Sequence, residues 1–154
     1  MKKGTATVVG GFRDLVWVNT WLMNAVDVRL MDDCALTVGR YDVLRVLGAR
    51  PGTRVNDIAE ELTITWGGVS KLIDRLEAAD LCRRRPNPAD GRSSLIELTP
   101  AGVRLLTRAE QVVEDELRCC LDGAVPIAQF DHLAAAVGVV RTSVQAARRE
   151  RATA

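Results

Sequence analysis

Apolar residues recur at helical spacing over most of this chain, and the points where the period breaks divide it into a short series of elements. Phe12, Leu15, Val16, Leu22, Met23, Val26 and Leu30 keep that period to about Met31, which predicts a long first helix after a Gly-rich, aperiodic arm over roughly the first ten residues. Trp17 and Trp21 lie four apart on a neighbouring face, so this helix carries more apolar surface than one small core needs and predicts a second buried surface, such as a subunit interface. Thr37 is placed to cap a second helix that turns Tyr41, Leu44 and Leu47 inward and ends at Arg50-Pro51-Gly52. Val55, Ile58, Ala59 and Leu62 mark a third helix, with Thr53 and Asn56 both candidates for its cap. After a turn at Thr63-Ile64, Thr65 caps a fourth helix whose inward face is Val69, Leu72, Ile73 and Leu76, with Trp66 joining that face at its start.

The period then changes. Cys82 to Arg85 and Ser94 to Leu98 read as strands around the turn-forming segment PNPADG, with Ile96 and Leu98 inward and Glu97 toward water. Asp80, just before them, stands where a glycine is preferred, although Asp tolerates the left-handed conformation better than most residues. Thr99 and Pro100 restart helix as N-cap and first turn, and Val103, Leu106, Val113 and Leu117 carry a fifth helix to about Leu121. Asp122-Gly123 stops it, and a last helix opens at Pro126 through Phe130, Leu133, Ala134, Val137 and Val140, turning basic toward its end.

Charge sharpens this picture. The whole chain of 154 residues carries a formal net charge of only +1, yet Arg83, Arg84, Arg85 and Arg92 against Asp90 give the hairpin +3. Positive charge is thus concentrated where a protruding hairpin would meet a phosphate backbone. On the fourth helix the outward residues are Gly67, Gly68, Ser70, Lys71, Asp74 and Arg75, small and hydrogen-bonding at the end that a recognition helix inserts into the major groove. Its own charges nearly cancel, Lys71 and Arg75 against Asp74 and Glu77, so the hairpin is expected to supply much of the electrostatic attraction.

Other chemistries find little support. Four cysteines (Cys34, Cys82, Cys119, Cys120) lack CxxC spacing and His132 is the single histidine, which argues against a metal site, and a disulfide framework is out of place. There is no Gly-rich phosphate loop and no paired carboxylate constellation, so an enzyme is not expected, and no cofactor is called for. The N-terminus is a poor signal peptide and no apolar run approaches the roughly eighteen residues of a membrane span, which makes a cytoplasmic location with no membrane partner the expectation.

RYDVLRVL (Arg40 to Leu47), VNDIAEEL (Val55 to Leu62), GGVSKLIDRLEAADL (Gly67 to Leu81), Asp90-Gly91-Arg92 and LIELTPAG (Leu95 to Gly102) together resemble a MarR-family winged helix-turn-helix transcriptional regulator. The resemblance implies a mainly α fold with a small β-hairpin wing, a winged helix-turn-helix lobe over 37–99 set on a helical dimerisation frame. That frame takes its parts from 1–36 and 100–154. It implies a homodimer on double-stranded palindromic DNA, acting as a repressor and released or tuned by a small-molecule effector. Thr65, Gly67, Gly68, Ser70 and Lys71 would then face base edges and nearby phosphates, and Arg75 the backbone. Arg92 matches the wing arginine of the minor groove and Asp90 the acid that orients it. Arg84 stands with them for the wing's charge, although strand alternation sends successive arginines to opposite faces and at least one of Arg83 to Arg85 serves structure. Trp17, Trp21 and Tyr41 are candidates for an effector cavity, with core or interface packing as the alternative. Two further readings stay open: a thiol-redox-sensing regulator, for which Cys82 beside three arginines is the foremost cysteine, and a winged-helix adaptor that binds protein rather than DNA.

Overall fold

The computed structural model describes residues 7–124 and 126–153, so most of the N-terminal arm lies outside the described residues. The chain forms two compact units, the first ending at Leu117 and the second beginning at Arg118. In order, the elements are α1 (Val8–Cys34), α2 (Val38–Ala49), β1 (Thr53–Arg54), α3 (Val55–Leu62), α4 (Trp66–Ala78), β2 (Cys82–Pro86), β3 (Ser94–Leu98), α5 (Pro100–Leu121) and α6 (Ile127–Thr153). This is a mainly helical fold with a small antiparallel sheet, as the sequence predicts.

Local chemistry starts and stops these helices. The Thr7, Thr37 and Thr65 hydroxyls accept the backbone N–H three residues on, from Gly10, Arg40 and Gly68, which satisfies one of the unpaired donors at each helix start. Thr7 therefore begins α1 several residues earlier than the periodicity of larger side chains suggests. Asp27 Oδ1 in α1 takes the Val38 N–H at 2.6 Å, so α1 also caps α2 and ties it to the lobe. Neither candidate caps α3: Arg54 holds the N-cap position, and its N–H and guanidinium both donate to Asp57 (3.2, 2.9 and 2.8 Å). Asp80 takes the left-handed conformation at φ 55°, and Leu81 N–H closes the end of α4 on the Leu76 carbonyl at 2.9 Å.

Helices α2, α3 and α4 pack against one another and against the sheet. Leu30 and Leu36 enter the core beside Val43, Leu44, Leu47, Ile58, Val69, Ile73, Leu76 and Ile96, all fully or nearly fully buried. The sheet runs β1-β3-β2. In β2 and β3, Cys82 pairs with Leu98, Arg83 with Glu97, Arg84 with Ile96 and Arg85 with Leu95. The two-residue β1, too short to show a period, pairs Thr53 with Ile96 and Arg54 with Leu95. It clips the start of α3 to the wing.

Most of the apolar surface of α1 is left uncovered within the chain. Val26 and Leu30 are buried, whereas Val8, Phe12, Leu15, Val16, Trp17 and Trp21 are exposed. In α6, Phe130, Leu133, Val137, Val140 and Val144 follow one another at alternating steps of three and four residues and are likewise exposed, the spacing of a coiled-coil seam.

Candidate nucleic-acid interface

Helix α4 is held from behind by Val69, Ile73 and Leu76, and its other side is open. Thr65, Gly67, Lys71, Asp74 and Arg75 are exposed, and Gly68 and Ser70 partly so. Trp66 departs from expectation: it is 60% exposed instead of joining the core face. The buried stripe closes at Val69, and the indole, most of a turn earlier, lies past its end. An apolar residue at helical spacing reads as core, and only its place at the first helical position points the other way.

The wing is ordered at two levels. At its tip the backbone closes on itself: Asn87 N–H donates to the Ser93 carbonyl, Asp90 N–H to that of Asn87 and Ser93 N–H to that of Asp90. The Asn87 amide adds a 2.8 Å bond to Ser93 Oγ. Asp90 Oδ1 accepts the Arg92 backbone N–H at 3.0 Å, so the acid fixes the main chain from which the Arg92 side chain springs. At its root Thr99 joins three segments. Its hydroxyl donates to the Asp80 carbonyl (2.6 Å) and accepts from Gly102 N–H (3.0 Å), while its own N–H reaches the Leu81 carbonyl (3.1 Å).

Ion pairing redistributes the charge read from the sequence. Arg84, on the Ile96 side of the hairpin, turns to α4, where its guanidinium bonds Asp74 (2.6 Å) and Glu77, and its N–H donates to Glu77 at 2.9 Å. Partial burial works against this cation, but the two carboxylates more than offset it and raise its pKa. On the other face Arg83 and Arg85 share Glu97, at 3.6 and 3.0 Å. Asp74 and Glu77 are therefore engaged by Arg84 and do not neutralise Lys71 and Arg75. Among the described residues no carboxylate lies within 4.0 Å of Lys71, Arg75 or Arg92. The uncompensated positive charge sits on the open face of α4 and at the wing tip, rather than along the whole hairpin.

Of the effector candidates, Trp17 and Trp21 are 67% and 47% exposed, while Tyr41 is buried in the lobe core at 9%. The helical repeat sets both indoles on the side of α1 opposite Val26 and Leu30, which face that core. One chain alone does not bring the three together.

The thiol reading of Cys82 is corrected. Its side chain is buried with Sγ toward the Ile73 carbonyl, and burial pushes the thiol pKa up to about 11, with Glu77 adding to the rise and Arg84 opposing it. Its sequence neighbours Arg83 and Arg85 point to the opposite face, so it is not an activated thiolate. Burial also raises the Cys34 pKa. Among the described residues no group of three metal-ligating side chains occurs, and no helix is long and apolar enough to cross a membrane.

Comparison with known proteins agrees with this geometry. Residues 36–93 match the sequence model of the MarR family. The transcriptional regulator HosA of Escherichia coli O111:H- is 31% identical over 74 residues, covering 48% of this chain and 55% of that protein. The chain spans about half the length of the curated relatives it matches. Among solved structures, the transcriptional regulator BldR from Sulfolobus Solfataricus superposes with a TM-score of 0.81 at 19% identity, over 93% of this chain and 99% of that one. Sco3205 from Streptomyces coelicolor, a MarR family transcriptional regulator solved in complex with DNA, gives 0.78 at 24% identity, over 90% and 92%. The matched segment runs from the start of α2 to the wing tip, and over that segment the winged helix-turn-helix of this chain is similar to that of MarR-family transcriptional regulators.

Proposed function

We propose that this chain is a homodimeric transcriptional regulator, acting as a repressor, that binds a palindromic operator with α4 in the major groove and Arg92 of the wing in the minor groove. The observation that carries the reading is the set of uncompensated cations Lys71, Arg75 and Arg92 on one open helix face and one wing tip, with the nearby acids already engaged by Arg84, Arg83 and Arg85. Counterion release from phosphates would draw such a surface to a duplex, and Sco3205 offers a DNA-bound example of the fold. Arg84 is held by Asp74 and Glu77 and is not a proposed contact; Thr65, Gly67, Gly68, Ser70, Lys71, Arg75 and Arg92 are, with Asp90 as support.

The exposed stripes of α1 and α6 support dimerisation, since apolar surface of this extent favours burial against a second copy. Residues 1–36 and 100–154 then serve as the frame and 37–99 as the reading lobe. A small-molecule effector would act by binding one arrangement of the two lobes more tightly than the other. Trp17 and Trp21 are its available contacts. The protein works where its DNA is, in the cytoplasm.

The test is selection of bound sequences from a random duplex pool, followed by titration of Arg92→Ala. Two-fold symmetry calls for an inverted repeat with half-sites about one helical turn apart. Arg92→Ala is expected to weaken binding by about 1–3 kcal/mol, and log affinity to fall with log salt by roughly 0.9 per phosphate neutralised. Equal binding by variant and wild type removes the wing assignment. Failure to select any sequence, with no salt response, favours the protein-binding adaptor.

A further inference from the structure

Trp66 is the largest side chain at the exposed start of α4, beyond the end of the buried stripe, and has no place in the core. Resting on the DNA-binding reading above, we propose that Trp66 is a specificity-determining residue that packs its indole against the 5-methyl group of a thymine in each half-site. Its surroundings argue against a protein partner. Ser70 follows it one turn along the same row, and Gly67 and Lys71 form the next row toward the open face, while Val69 and Ile73 on its other flank are buried; Ile64 is the exposed apolar residue next to it in sequence, so the apolar surface there is confined to the helix start rather than spread into a broad patch.

Gly67 is the second observation. A Cβ built there would meet nothing within 4 Å, and the residue has an ordinary helical conformation, so neither packing nor backbone requires glycine. Gly68 differs, because its Cβ would press on the capping Thr65 hydroxyl at 3.2 Å, as Gly10 would on Thr7 at 3.1 Å. A helix-disfavouring residue at 67 is thus left without a cause inside the chain. Close approach of another molecule supplies one: the bare first turn can settle deep in a groove, which carries the neighbouring indole to the base edges. There the thymine methyl is the apolar group that an indole can cover.

The experiment replaces each thymine of the selected operator in turn by deoxyuridine, which removes only that methyl, and measures the affinity of wild type and Trp66→Ala. One thymine per half-site is expected to lose about fourfold in wild-type affinity, the worth of one buried methyl group, and to lose nothing in the variant. Thermal melting of Trp66→Ala should match wild type, because the side chain is exposed; Trp66→Gln repeats the test if it does not. A scan that is flat in wild type, or identical in both proteins, overturns the proposal while salt-dependent binding leaves the underlying reading intact. A variant weakened equally on thymine and deoxyuridine duplexes assigns Trp66 to the sugar-phosphate backbone and also overturns it. Absence of any wild-type binding removes the reading itself.

Discussion

Arg84 distinguishes two accounts of the wing, and its removal separates them quantitatively. As a phosphate contact, Arg84 would contribute little to the free protein, and Arg84→Ala would reduce the salt slope of DNA binding by about 0.9 per lobe. As a clamp between β2 and α4, it holds Glu77 through both its guanidinium and its N–H, and Asp74 through a second guanidinium nitrogen. Arg84 and Glu77 are 30% and 37% exposed, so their pairing keeps more of its strength than a surface pair; Asp74, at 59%, contributes less. Charge-assisted bonds reach about 1.5–3 kcal/mol when sheltered and about 0.2–1 kcal/mol at the surface, which puts Arg84→Ala at about 1–2 kcal/mol of stability. The melting temperature is then expected to fall by roughly 2–8 °C, measured at fixed protein concentration so that self-association contributes equally to both proteins. A double-mutant cycle with Glu77→Ala should return a coupling of about 1 kcal/mol. DNA affinity should fall too, with the salt slope unchanged, because the variant frees two carboxylates beside Lys71 and Arg75. A variant that melts like wild type and has the lower slope would refute the clamp.

Two other substitutions probe the root of the wing and the buried thiol. A Cβ at Gly102 would lie 1.9 Å from the Leu81 carbonyl oxygen, whereas one at Gly48 would meet the end of the Leu106 side chain at 2.5 Å; backbone yields less than a rotamer, so Gly102→Ala should cost about 2–4 kcal/mol in urea unfolding and Gly48→Ala about 1–2 kcal/mol, and the reverse order would contradict the packing. With its pKa raised to about 11, Cys82 should stay unalkylated at pH 8 in the native state while exposed Cys119 reacts, as mass spectrometry would show. The sign of the linkage follows: the raised native pKa contributes stability that is complete below the ordinary thiol pKa of 9.0 and is lost as pH climbs through about 11. That part of the alkaline decline, with a slope of up to about 1.4 kcal/mol per pH unit, should be absent from Cys82→Ala.

What could be read from the sequence was local. Thr37 and Thr65 cap within three residues of themselves, as Thr99 does toward Gly102, and the helical period of α2 to α5 needs no knowledge of the partner surface, so the winged lobe followed from residue order alone. What escaped depended on distant neighbours. The pairing of β1 joins residues about forty apart in sequence. The cap of α3 could not be read because Arg54 is not a capping residue type, and Asp57 supplies the bond from the other side. Charge bookkeeping along α4 paired Asp74 and Glu77 with their helical neighbours, but β2 delivers Arg84 to both. Strand alternation did forecast that one of the three arginines would serve the fold; choosing which required the register of the hairpin.

The self-closed wing tip has a consequence for how such proteins diversify. Asn87, Asp90 and Ser93 fold the tip with hydrogen bonds contained within it, whereas Thr99 and Arg84 bind the root to the rest of the lobe. The tip is therefore a cassette: its residues are expected to exchange for another turn of equal span with the register and the core retained, so that its surface can change independently of the scaffold's stability.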